Sequence, residues 1–187
     1  MKGNKTVHVQ RRAFLTSAPL LILSAGALKA FPFASQGAPK GPELSEALNP
    51  AEQQIADQSA MSRDMENFWG KGYSCAETGL AVALRFMKKP EELVWAAGGF
   101  GGGMGHQDLC GFLTSGIMAI GLYTGNLNSD KKAAKALCSR KVNEYWTWWK
   151  SMAPLHCAEI REGHTDFNVC HRLGRLAAAE LEGLLKT

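Results

Sequence analysis

From Asn49 onward, apolar residues recur at intervals of three and four, and no stretch alternates apolar with polar as a half-buried strand would. That periodicity predicts helices. Residues 50–69 form the first: Asn49 offers a capping side chain, Pro50 takes the first helical position, and Gly70 and Gly72 close it. Residues 73–88 form a second, with Cys75, Leu80, Leu84 and Met87 near helical spacing. A short segment, 90–97, leads into the glycine run 98–105. A helix over 108–123 follows, then one opened by Ser129-Asp130 that runs to 152 before Pro154, a turn at 155–161, and a last helix over 167–185. No repeat of fixed period is visible. The expected fold is all-α, a bundle of about five to six helices with a glycine-rich loop before the central one.

Residues 1–30 read differently. They carry Lys2, Lys5, Arg11, Arg12 and Lys29 with no acid, then an apolar stretch over 13–27 and small residues, the order of a secretory leader. Arg11-Arg12-Ala13-Phe14-Leu15 gives R-R-x-F-L, which resembles the twin-arginine (Tat) signal. Cleavage falls between residues 27 and 38, residues 31–43 form a Gly/Pro/Ser-containing linker, and 44–187 form the folded domain. The expectation is therefore a periplasmic or otherwise exported protein that meets the membrane only through its signal segment. The Tat route carries proteins already folded, often with a cofactor inserted beforehand.

The leader also accounts for the charge. The whole chain has a formal charge of +4, and without residues 1–30 it has −1, so no basic surplus remains for nucleic acid. With 187 residues, 45% of them hydrophobic and 20% charged, the chain holds one globular domain and is not disordered. No apolar run reaches the ~18 residues of a conventional spanning helix.

The glycine run 98–105 does not fit the dinucleotide pattern G-x-G-x-x-G: no strand precedes it and no Gly-Lys-Ser/Thr follows. It supplies a backbone free to take positive φ immediately before a helix whose free N–H groups favour an anion. Cys110 stands at that helix start, which predicts a lowered thiol pKa there and makes Cys110 the most reactive thiol. The other cysteines are Cys75, Cys138, Cys157 and Cys170. Cys75, Cys157 and Cys170 also lie near helix beginnings, whereas Cys138 sits in mid-helix. No C-x-x-C pair occurs, so spacing alone leaves two structural disulfides with a free thiol open beside a metal or redox site.

At these residues the chain resembles the C_GCAxxG_C_C family of redox-active proteins. The stretch Cys110-Gly111-Phe112-Leu113-Thr114-Ser115-Gly116 is similar to the family's central motif. Cys75 in Gly72-Tyr73-Ser74-Cys75-Ala76-Glu77 matches its first cysteine, Cys157 in His156-Cys157-Ala158-Glu159 its third, and Cys170 its fourth. The likeness covers about residues 60–187. Phe112 stands where alanine is usual, Ser115 where the second glycine is usual, and Cys138 has no counterpart. The cysteine-bearing domain of split-Soret cytochromes is similar, without their haem attachment sites here.

The resemblance implies a redox role for Cys75, Cys110, Cys157 and Cys170, as ligands of an iron–sulfur cluster that passes electrons to or from a redox partner protein. Four thiolates suit such a cluster or zinc, and redox-active dithiols without metal, or a helical domain stapled by disulfides, remain alternatives. His106, His156 and His171 adjoin the cysteines and could tune a thiolate, but read first as solvent-facing or core residues. Tyr145, Trp146, Trp148 and Trp149 cannot all share one helix face, so part of the group meets another surface, such as a second copy of the chain.

Replacing Arg11 and Arg12 together by Lys should stop export, measured by fractionation of cells. Unchanged export of that variant in a strain lacking the Tat translocase would contradict the leader's assignment.

Overall fold

α1 (Pro50–Gln58) starts at the predicted residue because its cap is complete: Asn49 accepts from the Glu52 N–H at 2.9 Å, and the Glu52 carboxylate accepts from the Asn49 N–H at 3.0 Å. The predicted single helix over 50–69 does not continue. It breaks at Ser59, which is extended (φ −83°, ψ 128°) and opens α2 (Ala60–Asp64), followed by a 3-10 turn, Met65–Asn67. The cause is a distant carboxylate. Glu182 of the last helix, 4% exposed, accepts from the Ser59 hydroxyl at 2.6 Å and from the Met61 N–H at 2.8 Å, and an anion at a new helix N-terminus stabilises the break.

A computed structural model describes residues 44–127 and 130–186, all within a single compact unit. The leader and the linker, residues 1–43, lie outside the described residues. α3 (Cys75–Phe86) is capped by Ser74 with Glu77 in the same reciprocal arrangement as α1. A 3-10 segment, Glu91–Ala97, and a π-turn, Gly103–Gln107, occupy the approach to α4 (Gly111–Leu127). α5 (Lys131–Met152) is capped by Asp130, and α6 (Cys157–Ile160) and α7 (Asn168–Lys186) complete the chain.

The bundle is all-helical, as predicted, with α4 packed against α3, α5 and α7. Among the described residues the sole strand-like feature is an isolated antiparallel bridge between Leu109 and His156, and no helix is long and apolar enough to cross a membrane.

α4 lies at the centre because its contact positions are small or matched by small residues opposite. Phe112, 2% exposed, fits where Gly174 of α7 leaves room: a Cβ on Gly174 would stand 2.5 Å from the Phe112 ring. Ser115 faces Gly79 of α3. Gly116 lies under Tyr145 of α5, whose hydroxyl donates to the Phe112 carbonyl at 3.1 Å. Phe112 and Ser115, the two positions of this stretch that differ from the motif it resembles, are thus each met by a glycine across the interface. On α5, the buried Lys141 donates to the Leu184 carbonyl at 2.7 Å and so helps terminate α7.

Tyr145 is 1% exposed and cannot swing away. Gly116→Ala should therefore push α4 and α5 apart and destabilise the protein by about 1–3 kcal/mol. A lower denaturant midpoint with an unchanged slope checks this, and an unchanged midpoint contradicts it.

Candidate functional site

Four helix beginnings meet at one end of the bundle, and each brings a cysteine. Cys75 is the first residue of α3, following its Ser74 cap. Its sulfur lies against Gly111, the first residue of α4: a Cβ on Gly111 would overlap Cys75 Sγ and stand 2.9 Å from the Ala76 nitrogen. Glycine at 111 lets the two helix starts touch.

Cys110 precedes Gly111 and caps α4 through its carbonyl, which accepts from the Thr114 N–H at 3.0 Å. The helix thus opens three residues later than the predicted Asp108, because residues 108–110 pair with 155–157 around the Leu109–His156 bridge. The Cys110 N–H donates to the Leu155 carbonyl at 2.9 Å and the Cys157 N–H to the Asp108 carbonyl at 2.7 Å. These bonds tie the residues that lead into α4 to the start of α6, which Cys157 opens, with Cys110 opposite Leu155 and Cys157 opposite Asp108. Cys170 lies in the first turn of α7, where Asp166 accepts from the Asn168 N–H at 2.9 Å.

Cys75 is the thiol that links the others. Cys75 raises the pKa of each of Cys110, Cys157 and Cys170. Cys170 also acts on Cys110, and Cys157 on Cys170. Cys138, midway along α5, does not figure among these couplings. The structure thus places Cys75, Cys110, Cys157 and Cys170 at or beside the starts of α3, α4, α6 and α7, with Cys75 coupled by charge to the other three, and Cys138 within α5.

The predicted acidity of Cys110 is reversed. Burial pushes its thiol far above the usual range, and the neighbouring Cys75 adds to this, although the N–H groups of Phe112 and Leu113 do point at the sulfur and pull the other way. At 7% exposure, loss of water outweighs the helix end. Burial, then Cys75 and Cys157, push Cys170 up to about 11, against the opposing charge of Arg161. Cys157 is raised by burial and Cys75, again opposed by Arg161.

The histidines near the site are engaged by carboxylates. His156 lies 3.0 Å from Glu159 and 3.5 Å from Asp108, and His171 lies 2.9 Å from Glu66 with its ring 5.3 Å from that of Trp69. His106 is exposed. As the side chains stand, no three His, Cys, Asp or Glu among the described residues form a group spaced to hold a metal ion.

The aromatic group behind the site is packed structure. Tyr145 and Trp149 are each 1% exposed, their ring centroids are 6.4 Å apart, and Trp149 Nε1 donates to the Pro154 carbonyl at 2.9 Å. Trp148 reaches the outer face of α5, where it lines a shallow groove with Arg140, Asn143, Glu144 and Thr147.

Two features of the site escape a reading of the cysteines alone. One is the Leu109–His156 bridge, for which the sequence carries no pairing signal. The other is Arg161, whose position four residues after Cys157 was a visible sign that it shares a helix face with that thiol.

A family model described as "Putative redox-active protein (C_GCAxxG_C_C)" matches residues 73–183 of the chain. No curated protein and no solved structure matches it.

The raised thiols set a pH window. In reduced, metal-free protein, a thiol whose folded pKa exceeds its unfolded value, about 8.5, stabilises the fold fully below that pH and loses its contribution as pH climbs through the folded value. The denaturant midpoint should therefore fall between about pH 8.5 and the Cys170 value of about 11. In a variant with Cys110, Cys157 and Cys170 all replaced by Ala, that fall should shrink. An equal fall in both proteins contradicts the assignment.

Proposed function

Because the chain belongs to the C_GCAxxG_C_C family of redox-active proteins, we propose that Cys75, Cys110, Cys157 and Cys170 hold an iron–sulfur cluster and that the protein transfers electrons after export through the Tat route. The observation that carries this is the convergence of four helix starts, with one thiol, Cys75, acting on the other three.

The donor set suits such a cluster in number and softness. It also suits it in charge. Three thiols held protonated by burial and by one another are poor nucleophiles near neutral pH, whereas a cation beside them removes the cost of ionising. When bound, the cluster supplies one-electron transfer.

The chain's own residues do the rest. Gly111 allows Cys75 to approach the start of α4, the 109–156 bridge ties the start of α6 to the approach to α4, and the Phe112 and Leu113 N–H groups stabilise negative charge on the Cys110 sulfur. Packing around Cys110 excludes water. The leader with Arg11 and Arg12 supports export of a protein folded around its cofactor, and a redox protein outside the cytoplasm needs a partner protein to exchange electrons with. The half-exposed Trp148 on α5 supports a contact with a second copy of the chain.

One observation favours a second reading: the sulfurs as they stand are not spaced for a metal ion. Two of the four thiols would then give up two electrons and two protons to an external oxidant and form a disulfide, with Cys75 as the shared member.

Iron and acid-labile sulfide measured on anaerobically purified protein decide between them. The cluster reading expects a brown protein with both in comparable amounts. A colourless protein that reversibly loses two thiols on oxidation supports the second reading. Zinc alone, or bridges that do not reduce, overturns both.

A further inference from the structure

Arg161 ends α6, and its backbone N–H donates to the Cys157 carbonyl at 3.0 Å. Its guanidinium lies 4.0 Å from the ring centroid of Phe167 and its Nη2 donates to the Asp166 carbonyl at 3.5 Å. Phe167 stands at the entry to α7, where its carbonyl accepts from the His171 N–H at 2.9 Å, and Cys170 follows three residues on. The guanidinium is thus pinned between the segment that carries Cys157 and the one that carries Cys170.

Its Nε is buried and has no hydrogen-bond partner among the described residues. A buried donor left unpaired is costly, so anchoring the loop does not by itself account for its place. The positive charge acts on both Cys157 and Cys170, against the carboxylate of Asp166, which opposes it at Cys170.

We propose that Arg161 is a positioning residue for the redox centre: its fixed charge stabilises electron-rich sulfur on the Cys157–Cys170 side and raises the centre's reduction potential. This rests on the reading of the four cysteines as a redox centre, under either the cluster or the dithiol form. Arginine suits the role better than lysine because its flat guanidinium lies on the Phe167 ring while keeping its charge.

Redox titration of the full chain tests it, with the wild type beside Arg161→Gln, Arg161→Lys and Phe167→Leu. Arg161→Gln should shift the ratio of oxidised to reduced protein at a fixed potential roughly three- to tenfold toward oxidised. Arg161→Lys should recover part of that shift, which loss of a purely structural contact would not predict. Phe167→Leu, which keeps the charge but removes its platform, should fall between.

A second readout holds whether or not metal is present. In reduced, metal-free Arg161→Gln, iodoacetamide at one fixed pH should label Cys157 and Cys170 several-fold more slowly relative to Cys138 than in the wild type. Wild-type potential and wild-type labelling in Arg161→Gln overturn the proposal. A wild type with no reversible couple overturns the redox reading beneath it, and the labelling ratio then still decides whether Arg161 acts on the two thiols.

Discussion

The contact at Gly111 is the constraint on which the site depends. Helix N-termini carry unpaired N–H groups and partial positive charge, so bringing several to one place without something electron-rich between them is unfavourable. Here sulfur fills that role. α3 and α4 meet with the Cys75 sulfur against the Gly111 backbone, and any larger residue would force both helix starts and their cysteines apart. The 109–156 bridge then brings α6 into the same region, and the Asp166 cap fixes the first turn of α7.

Two opposing effects act on Cys110, and their sizes explain the outcome. A helix end contributes about 0.3–2 kcal/mol toward the thiolate, while full burial can shift a titrating group by about 3–5 pK units, each worth about 1.4 kcal/mol. Burial wins. A centre built this way resists ionisation while empty, and a positive group within it turns each raised thiol into a ready ligand. Arg161 is the cation the chain itself provides, at the side where Cys157 and Cys170 lie.

Much of the fold was legible because its signals are local. The caps at Asn49, Ser74 and Asp130 act within three residues, and apolar spacing marked the helices they open. The placement of the cysteines was legible too, since four of the five lie beside helix beginnings. What could not be read depends on residues far apart in the chain. Glu182 breaks the first helix at Ser59 from 123 residues away. The pairing of Leu109 with His156, which delays the start of α4, has no periodic signature. Phe112 and Ser115 looked discordant with the family motif until Gly174 and Gly79 were seen across from them.

The central claim is that four of the five cysteines act as one unit. It is tested most directly by replacing each cysteine singly with Ser and measuring the redox equivalents, together with any bound iron, per chain. The account predicts that Cys138→Ser keeps the wild-type value while the same change at Cys75, Cys110, Cys157 or Cys170 removes most of it. Equal loss at Cys138, or full retention in any variant of the other four, would contradict it.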